Sequence, residues 1–191
     1  MSKEVTHDLM PPVKSPNGWA DTLVGILVRT VLVTALVVGV IWGLRWWAMF
    51  KPVIHPDAAG QVELKAKDAQ LHGEPEIRYN LYEGIPNIGW WNEESQYLSW
   101  KTKGVSAGSY QVVLEYSRAP EAKLQLELKA GEQTLLGEVP PTGGWGNWGE
   151  HSLGVLELSS GEVSELELRA ITPDGGEVVN LVKVTLIPVG E

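Results

Sequence analysis

The pattern of apolar and polar positions divides the chain into two unlike parts. Residues 23–44 read LVGILVRTVLVTALVVGVIWGL, a run of 22 residues whose single charge is Arg29. Beyond Gly60 the apolar positions instead recur at every second residue. A continuous apolar run predicts a helix, whereas a period of two predicts strands with one buried and one solvated face.

The apolar run is long enough to cross a bilayer. At 1.5 Å per residue it gives about 33 Å of helix, against a hydrocarbon core of roughly 30 Å. The run leads into Arg45 and two tryptophans rather than into a small-residue cleavage site, so we predict a retained anchor over residues 23–48. Its aromatic and basic end predicts a membrane-interface belt, formed by Trp42, Arg45, Trp46 and Trp47.

The charges flanking this run give a weak orientation signal. Lys3, Lys14 and Arg29 precede most of it, and Arg45 and Lys51 follow it. The small excess on the amino-terminal side predicts a cytoplasmic amino terminus in a bacterial inner membrane, with the main domain in the periplasm. The predicted organisation is a cytoplasmic tail (1–22), a transmembrane helix (23–48), a Pro-bounded linker (49–60) and an extracytoplasmic sandwich (61–191).

Three small residues recur at every fourth position of the predicted span. Ala35, Gly39 and Gly43 would lie on one face of a helix. Small residues let two helix backbones approach closely in lipid, so the stripe predicts packing against helices of other chains, in a homo- or hetero-oligomer. The alternative is that Gly and Ala are simply frequent in such helices.

The part after Gly60 predicts an all-β fold. Apolar residues alternate with polar ones over several stretches: Tyr110–Tyr116, Leu124–Leu128, Leu166–Ala170 and Val182–Leu186. Gly-, Pro- and Asp-containing turn signals separate these stretches. Eight or nine short antiparallel strands without a helix among them predict a β-sandwich.

Composition excludes several functions. Residues 1–51 carry five basic and three acidic residues, and the other 140 carry ten basic and 21 acidic residues, so the outer part is strongly acidic. That balance argues against nucleic acid as a partner. The chain has no cysteine and only four scattered histidines, and no metal site or cofactor is predicted.

Catalytic patterns are also missing, and we predict a protein that is not an enzyme. Glu93 and Glu94 are adjacent, so on a strand they would point in different directions. Ser152 lacks the strand-turn-helix context of a serine hydrolase nucleophile.

Two Gly- and Trp-rich segments interrupt the alternation and carry the candidate binding residues. One contains Trp90 and Trp91, and the other contains Trp145 and Trp148. A tryptophan on a loop presents a large flat face, which suits the apolar face of a sugar ring. The alternative is that these side chains plug the ends of the sandwich, with one of each pair inward. Trp100, inside an alternating stretch, is predicted to lie in the core.

The order of several motifs resembles a known family. Asn87-Ile88-Gly89-Trp90-Trp91, the Ala107–Val112 stretch, the T-G-G-W-x-x-W motif of residues 142–148 and Val184–Pro188 follow one another as in galactose-binding-like jelly rolls. Residues 62–189 look most like carbohydrate-binding modules of the family 6 type, and like the related sandwich appended to bacterial fucosidases and sulfatases.

The resemblance implies a ligand cleft among loops at one end of the sandwich. It would be formed by Trp145 or Trp148, by Trp90 or Trp91, and by Asn180 just before the last strand. Many family members are similar in holding a structural calcium near the first strand. Here residues 63–68 depart from the usual acidic opening, so none is predicted.

Two functional hypotheses follow. The first is a single-pass membrane protein that presents a non-catalytic, carbohydrate-binding-like sandwich to glycan or protein. The second is an accessory structural subunit of a large membrane complex, for example a photosynthetic or respiratory one. In that case the helix packs on other subunits and the sandwich caps the periplasmic face.

Overall fold

The structure is a computed structural model of the chain. It describes residues 18–49, 51–75, 77–119, 123–159, 163–171 and 179–190, with side chains described in the amino-terminal helix for residues 25–40. The chain divides into two compact units, residues 1–50 and 51–191.

The first unit contains one helix, α1, which spans Gly18–Met49. Its described side chains are exposed, and Ala35 and Gly39 are among them. In this described part of the chain, no helix is both long enough and apolar enough to cross a membrane. Gly43 and the predicted interface residues Trp42, Arg45, Trp46 and Trp47 lie outside the described side chains.

The second unit contains eleven described strands, more than the eight or nine predicted. They are β1 (Val62–Lys65), β2 (Gln70–His72), β3 (Arg78–Tyr82), β4 (Ile85–Gly89), β5 (Tyr97–Val105), β6 (Gly108–Arg118), β7 (Gln125–Ala130), β8 (Gln133–Glu138), β9 (Gly144–Leu158), β10 (Val163–Ile171) and β11 (Asn180–Pro188). A short 3₁₀ helix, Ala66–Asp68, follows β1. The additional strands are short and lie towards the amino terminus, where three to five residues leave little room for a recognisable alternation.

The strands form two antiparallel sheets, which confirms the predicted sandwich. The first sheet has the order β3-β4-β11-β6-β9, with β1 also paired to β11. The second has the order β2-β5-β10-β7-β8.

The alternating positions of the long strands build the core between the sheets. Val112 and Leu114 of β6, Leu126 and Leu128 of β7, and Leu168 of β10 are completely buried. Trp100 is 1 % exposed, as predicted, and its indole Nε1 donates a hydrogen bond to the Lys65 carbonyl at 2.9 Å. A buried tryptophan needs such a partner for its N–H.

A bulge in β11 changes which residues face the core. The pairing of β11 with β6 shifts between Leu181 and Lys183. Leu181 is therefore completely buried, whereas Val182, which the sequence pattern placed in register with Val184, is only partly buried. The bulge also turns Asn180 to the outer face of the sheet, because one extra residue reverses the alternation.

Residues 51–61, most of which fall in the predicted linker, make hydrogen bonds with the sandwich. The Ile54 amide donates to the Lys101 carbonyl at 2.8 Å, and the Lys103 amide donates to the Ile54 carbonyl at 2.9 Å. Asp57 Oδ1 accepts from the amides of Ala59 and Gln61 and closes a turn before β1. Ile54 thus pairs with Thr102 of β5, at a part of that strand that the short strand β2 does not reach.

Candidate functional site

Ser117, near the end of β6, lies between two irregular strand segments on the outer face of the first sheet. On one side it pairs with Asn180 of the bulged β11. On the other side it pairs with Trp148 of β9, while the next residue, Arg118, pairs with Gly144. Residues 145–147 therefore loop out of the ladder, and the Ser117 hydroxyl donates to the Trp145 carbonyl at 2.6 Å. Bulges of this kind redirect side chains.

Asn180 connects this region to β4. Its side-chain oxygen lies 2.6 Å from the position that a Cβ atom on Gly89 would take. Arg78 of β3 pairs with Gly89 in turn. One row across the sheet thus contains Arg78, Gly89, Asn180, Ser117 and Trp148, and paired residues of neighbouring strands share a face.

Trp90 and Trp91 take opposite environments immediately after Gly89. Trp91 is completely buried, and its Nε1 donates to the Gln96 carbonyl at 3.0 Å. Trp90 is 53 % exposed and has a φ of 60°, a left-handed conformation that is unusual for a bulky side chain. The Arg78 guanidinium carbon lies 5.9 Å from the centre of the Trp90 ring.

The tip of the β3–β4 hairpin packs against the start of β9. Glu83 and Gly84 form a two-residue turn in which both φ angles are positive, 51° and 83°. The Tyr82 ring meets the Trp148 ring edge-on with centroids 6.4 Å apart. The Glu83 carboxylate oxygens lie 3.1 and 3.3 Å from the Cβ position of Gly146, so a side chain there would displace the carboxylate by a few tenths of an ångström.

The loop that precedes Trp145 is held to the end of β6 by hydrogen bonds. The Thr142 hydroxyl accepts from the Arg118 amide at 2.8 Å, and the Tyr116 hydroxyl donates to the Pro140 carbonyl at 2.7 Å. Burial raises the pKa of Tyr116 above its usual value of 10.0, which favours the protonated hydroxyl that donates this bond. The strand end and the loop therefore support one another.

The structure brings four of the five predicted binding residues into one region. Trp90 follows Gly89, Asn180 lies across Gly89, and Trp145 and Trp148 flank Ser117; both of these tryptophans are partly exposed. The fifth, Trp91, lies in the core. We call the region formed by the exposed Trp90, the partly exposed Trp145 and Trp148, and the buried Asn180 and Ser117 the tryptophan face.

Sequence reasoning did not select several residues that shape this face. Ser117 occupies an ordinary polar position of an alternating strand, and Tyr82 and Glu83 carry no motif. Their roles depend on bulges and on a hairpin contact that alternation does not encode. Asn87 carried a signal, since it opens the Asn-Ile-Gly-Trp-Trp stretch.

Some polar atoms at or near the tryptophan face have no partner. Among the described residues, the buried side-chain atoms without a hydrogen bond are Asn87 Oδ1, Asn92 Oδ1 and Trp148 Nε1. Buried polar atoms are nearly always satisfied by protein, water or ligand. Asn87 Oδ1 and Trp148 Nε1 are both closed off from solvent in this conformation.

No group of three or more His, Asp or Glu side chains in the described part of the chain is placed to hold a metal ion. The polar and aromatic groups of the tryptophan face are three indole rings, the Asn180 amide and the Ser117 hydroxyl, and the Glu83 carboxylate lies close to Gly146 beside it.

Solved structures share this fold. A family 35 carbohydrate-binding module from Clostridium thermocellum is 23% identical, with a TM-score of 0.52, over 68% of this chain and 98% of that one. The carboxy-terminal family 6 module of a laminarinase from Zobellia galactanivorans is 23% identical, with a TM-score of 0.53, over 66% and 98%.

A family 6 module of a Cellvibrio mixtus lichenase, solved with cellotriose, is 19% identical, with a TM-score of 0.52, over 67% and 97%. No family model and no curated protein matches the chain. The likeness shows that residues of the second unit have the fold of carbohydrate-binding modules.

Proposed function

We propose that the sandwich binds glycan without catalysis, and that the tryptophan face is its binding surface. The observation that carries this proposal is the row across the first sheet. It places the buried Asn180 and Ser117 in one row with the partly exposed Trp148, next to Trp90, which is 53 % exposed. Fold alone does not determine function, so the proposal rests on these side chains.

The chemistry of the face suits a sugar. A pyranose ring has an apolar C–H face, which packs on an indole, and a rim of hydroxyl groups that both donate and accept hydrogen bonds. Trp90 supplies an open aromatic face. The polar groups beside it, the Asn180 amide and Trp148 Nε1, are buried, and Trp148 Nε1 has no hydrogen-bond partner among the described residues.

The test is titration calorimetry of the full chain against a panel of soluble oligosaccharides. The protein is kept in a detergent without a sugar headgroup, so that the detergent does not compete. We expect Trp90→Ala to weaken binding about tenfold, because one indole face buries on the order of 50 Å² of apolar surface, or about 1.3 kcal/mol.

Tyr79→Ala is the matched control. Tyr79 is an aromatic residue of similar exposure, 48 %, but it pairs with Ile88 rather than with Gly89 and lies outside the tryptophan face. Equal losses in Trp90→Ala and Tyr79→Ala would contradict the placement of the site. Absence of binding across a panel of β-glucans, xylans and galactans would contradict glycan binding itself.

The predicted membrane anchor over residues 23–48 is a separate proposal, supported by the apolar run in the sequence. Membrane fractionation of cells that express the full chain, compared with a chain that begins at Lys51, tests it. Equal recovery of both chains in the soluble fraction would contradict the anchor.

The accessory-subunit hypothesis is supported by the Ala35/Gly39/Gly43 stripe in the sequence. Purification of the full chain from its own membranes in mild detergent tests it. A stoichiometric complex with other subunits would favour it, and recovery of the chain alone would count against it.

A further inference from the structure

The loop after Trp90 is organised around one buried side chain. Gln96 is completely buried. Its side-chain oxygen accepts hydrogen bonds from the amides of Asn92 and Glu93, at 2.7 and 2.9 Å. Its side-chain nitrogen donates to the Pro75 carbonyl. The side chain of Gln96 therefore joins the loop after β4 to the loop between β2 and β3.

The backbone of Gln96 holds the same loop from a second direction. Its amide donates to the Glu93 carbonyl at 3.0 Å, and its carbonyl accepts from Trp91 Nε1 at 3.0 Å. All four polar groups of this residue are thus used to fix residues 91–93 and Pro75.

The neighbouring loop packs closely against Ser95 and Gln96. A Cβ atom on Gly73 would lie 2.6 Å from the Ser95 carbonyl and 2.7 Å from the Gln96 Cα atom. Gly73 itself has a φ of 94°. The two loops are therefore packed backbone against backbone at this point.

Trp90 needs this support, because its conformation is unfavourable by itself. A left-handed conformation costs a bulky residue on the order of 1–2 kcal/mol relative to its ordinary conformations. Such a conformation persists where the surroundings determine it, and the residues directly after Trp90 are the ones that Gln96 fixes. Without them, the chain at Trp90 would relax and its ring would leave its present direction.

We propose that Gln96 is the positioning residue of the tryptophan face: it holds Trp90 in the left-handed conformation that presents the indole ring, so that the ring is ordered before a ligand arrives. The effect on affinity rests on the proposed glycan binding, whereas the effect of Gln96 on the conformation of Trp90 does not. A side chain that is already ordered avoids the entropy that immobilisation costs on binding.

Near-ultraviolet circular dichroism of the full chain tests the positioning directly. The contribution of Trp90 is the difference between a protein and the same protein with Trp90→Phe. Gln96→Met keeps the size of the side chain and removes its hydrogen bonds. We expect the Trp90 contribution to fall to less than about half in Gln96→Met, since a mobile ring loses its fixed asymmetric surroundings.

Two further variants make the result decisive. Gln96→Glu keeps an acceptor for the Asn92 and Glu93 amides but lacks the donor to the Pro75 carbonyl, so we expect a Trp90 signal between those of Gln96→Met and the wild type. If Gln96→Met does not fold, a wild-type Trp90 signal in Gln96→Glu would overturn the inference. Gln133→Met is the matched control, because Gln133 donates a single hydrogen bond to the Ser159 hydroxyl at 3.0 Å on another hairpin. An unchanged Trp90 signal in Gln96→Met, or an equal loss in Gln133→Met, would overturn the inference.

A binding cycle tests the consequence. For a glycan that the wild type binds, we expect Gln96→Met to weaken affinity about two- to tenfold, and to have less than a twofold further effect when Trp90→Ala is already present. Equal effects in both backgrounds would show that Gln96 does not act through Trp90. If the wild type binds no glycan, the proposed function fails, while the dichroism experiment still decides whether Gln96 positions Trp90.

Discussion

The side-chain oxygen of Asn180 occupies the space beside Gly89 that a side chain on that residue would fill, 2.6 Å from its Cβ position. These residues lie 91 positions apart in the sequence, on strands that pair through Leu181 and Ile88. Gly89 precedes the exposed Trp90, and Asn180 precedes the bulge of β11. The contact therefore links the segments of Trp90 and Asn180, which the sequence analysis assigned to one predicted binding site.

Gly89→Ala should weaken glycan binding more than it destabilises the fold. The new methyl group would displace the end of the Asn180 side chain, which is flexible, rather than backbone. We expect affinity for glycan to fall at least about tenfold, with a loss of less than about 2 kcal/mol in the free energy of unfolding. Calorimetric titration and urea unfolding measure the two quantities.

Gly149→Ala is the control for that substitution. Gly149 also lies in the first sheet, but the nearest side-chain atom to its Cβ position is Thr142 Cγ2 at 3.7 Å, an ordinary contact. Equal losses of affinity in the two variants would show that the Asn180 contact is not the cause.

Ser117→Ala should loosen the segment that carries Trp145. The variant removes the hydrogen bond from the buried Ser117 hydroxyl to the Trp145 carbonyl and leaves that carbonyl unpaired. We expect the free energy of unfolding to fall by about 1 kcal/mol, as is usual for one buried hydrogen bond. Affinity should fall as well, because residues 145–147 have no ladder partner in the pairing with β6.

Ser109→Ala is a suitable control, since the Ser109 hydroxyl donates to an exposed carboxylate, that of Glu157, at 2.7 Å. It should change neither quantity measurably. A Ser117→Ala protein that binds as tightly as the wild type would contradict the role given to Ser117.

Gly137→Ala should destabilise the sandwich without involving the tryptophan face. A Cβ atom on Gly137 of β8 would lie 2.4 Å from the Leu153 carbonyl of β9, and this contact is with backbone. We expect a loss of about 2–3 kcal/mol in the free energy of unfolding, measured in urea. A loss below about 0.5 kcal/mol would mean that β8 and β9 separate easily, contrary to the close approach seen here.

The alternation of apolar and polar residues predicted the strands that are regular. The inward positions of β6, β7 and β10 follow the sequence pattern, because regular strands have a period of two. Val182 was assigned wrongly, since a bulge depends on pairing with β6 and leaves no mark in the sequence of β11. The short strands β3 and β4 are not marked by alternation for a related reason: their conformation depends on pairing rather than on their own composition.

The candidate site was predictable in its residues but not in its arrangement. Motif order selected Trp90, Trp145, Trp148 and Asn180, which the structure gathers. It did not distinguish Trp90 from Trp91, because that choice depends on the hydrogen bond from Trp91 to Gln96 and on the left-handed backbone at Trp90. Such features arise from contacts between loops, which sequence spacing does not contain.

The ion pairs beside β1 predict a weak dependence of stability on pH. The hydrogen bond from Lys65, and then that from Lys183, outweigh burial and hold the pKa of Glu63 below its usual 4.5. Because the pKa is lower in the folded chain, the stabilisation is complete above about pH 4.5 and is lost as the pH falls through the lowered value.

Glu63→Gln should therefore lower the free energy of unfolding at pH 7, but by less than about 1 kcal/mol, since the side chains of Lys65, Glu63 and Lys183 are 47 %, 36 % and 27 % exposed. The difference from wild type should shrink as the pH falls below 4.5 and through the lowered pKa of Glu63, which urea unfolding at several acidic pH values measures. Glu94→Gln is the control, because Glu94 has no ion pair with any described residue. A difference that stayed constant as the pH fell would indicate a packing effect instead.

Ile54→Pro tests whether residues before β1 belong to the sandwich. Proline has no amide hydrogen, so the bond to the Lys101 carbonyl is lost and part of the β5 edge becomes free. We expect a loss of about 1–2 kcal/mol and a lower Tm, together with more self-association at high concentration, because a free strand edge can pair with another chain. Ile54→Val, which keeps the amide and most of the packing, should lose about 1 kcal/mol or less and should not self-associate. If Ile54→Pro matched Ile54→Val in both Tm and sedimentation, the pairing with β5 would contribute nothing, and residues 51–56 would act as a free connection after all.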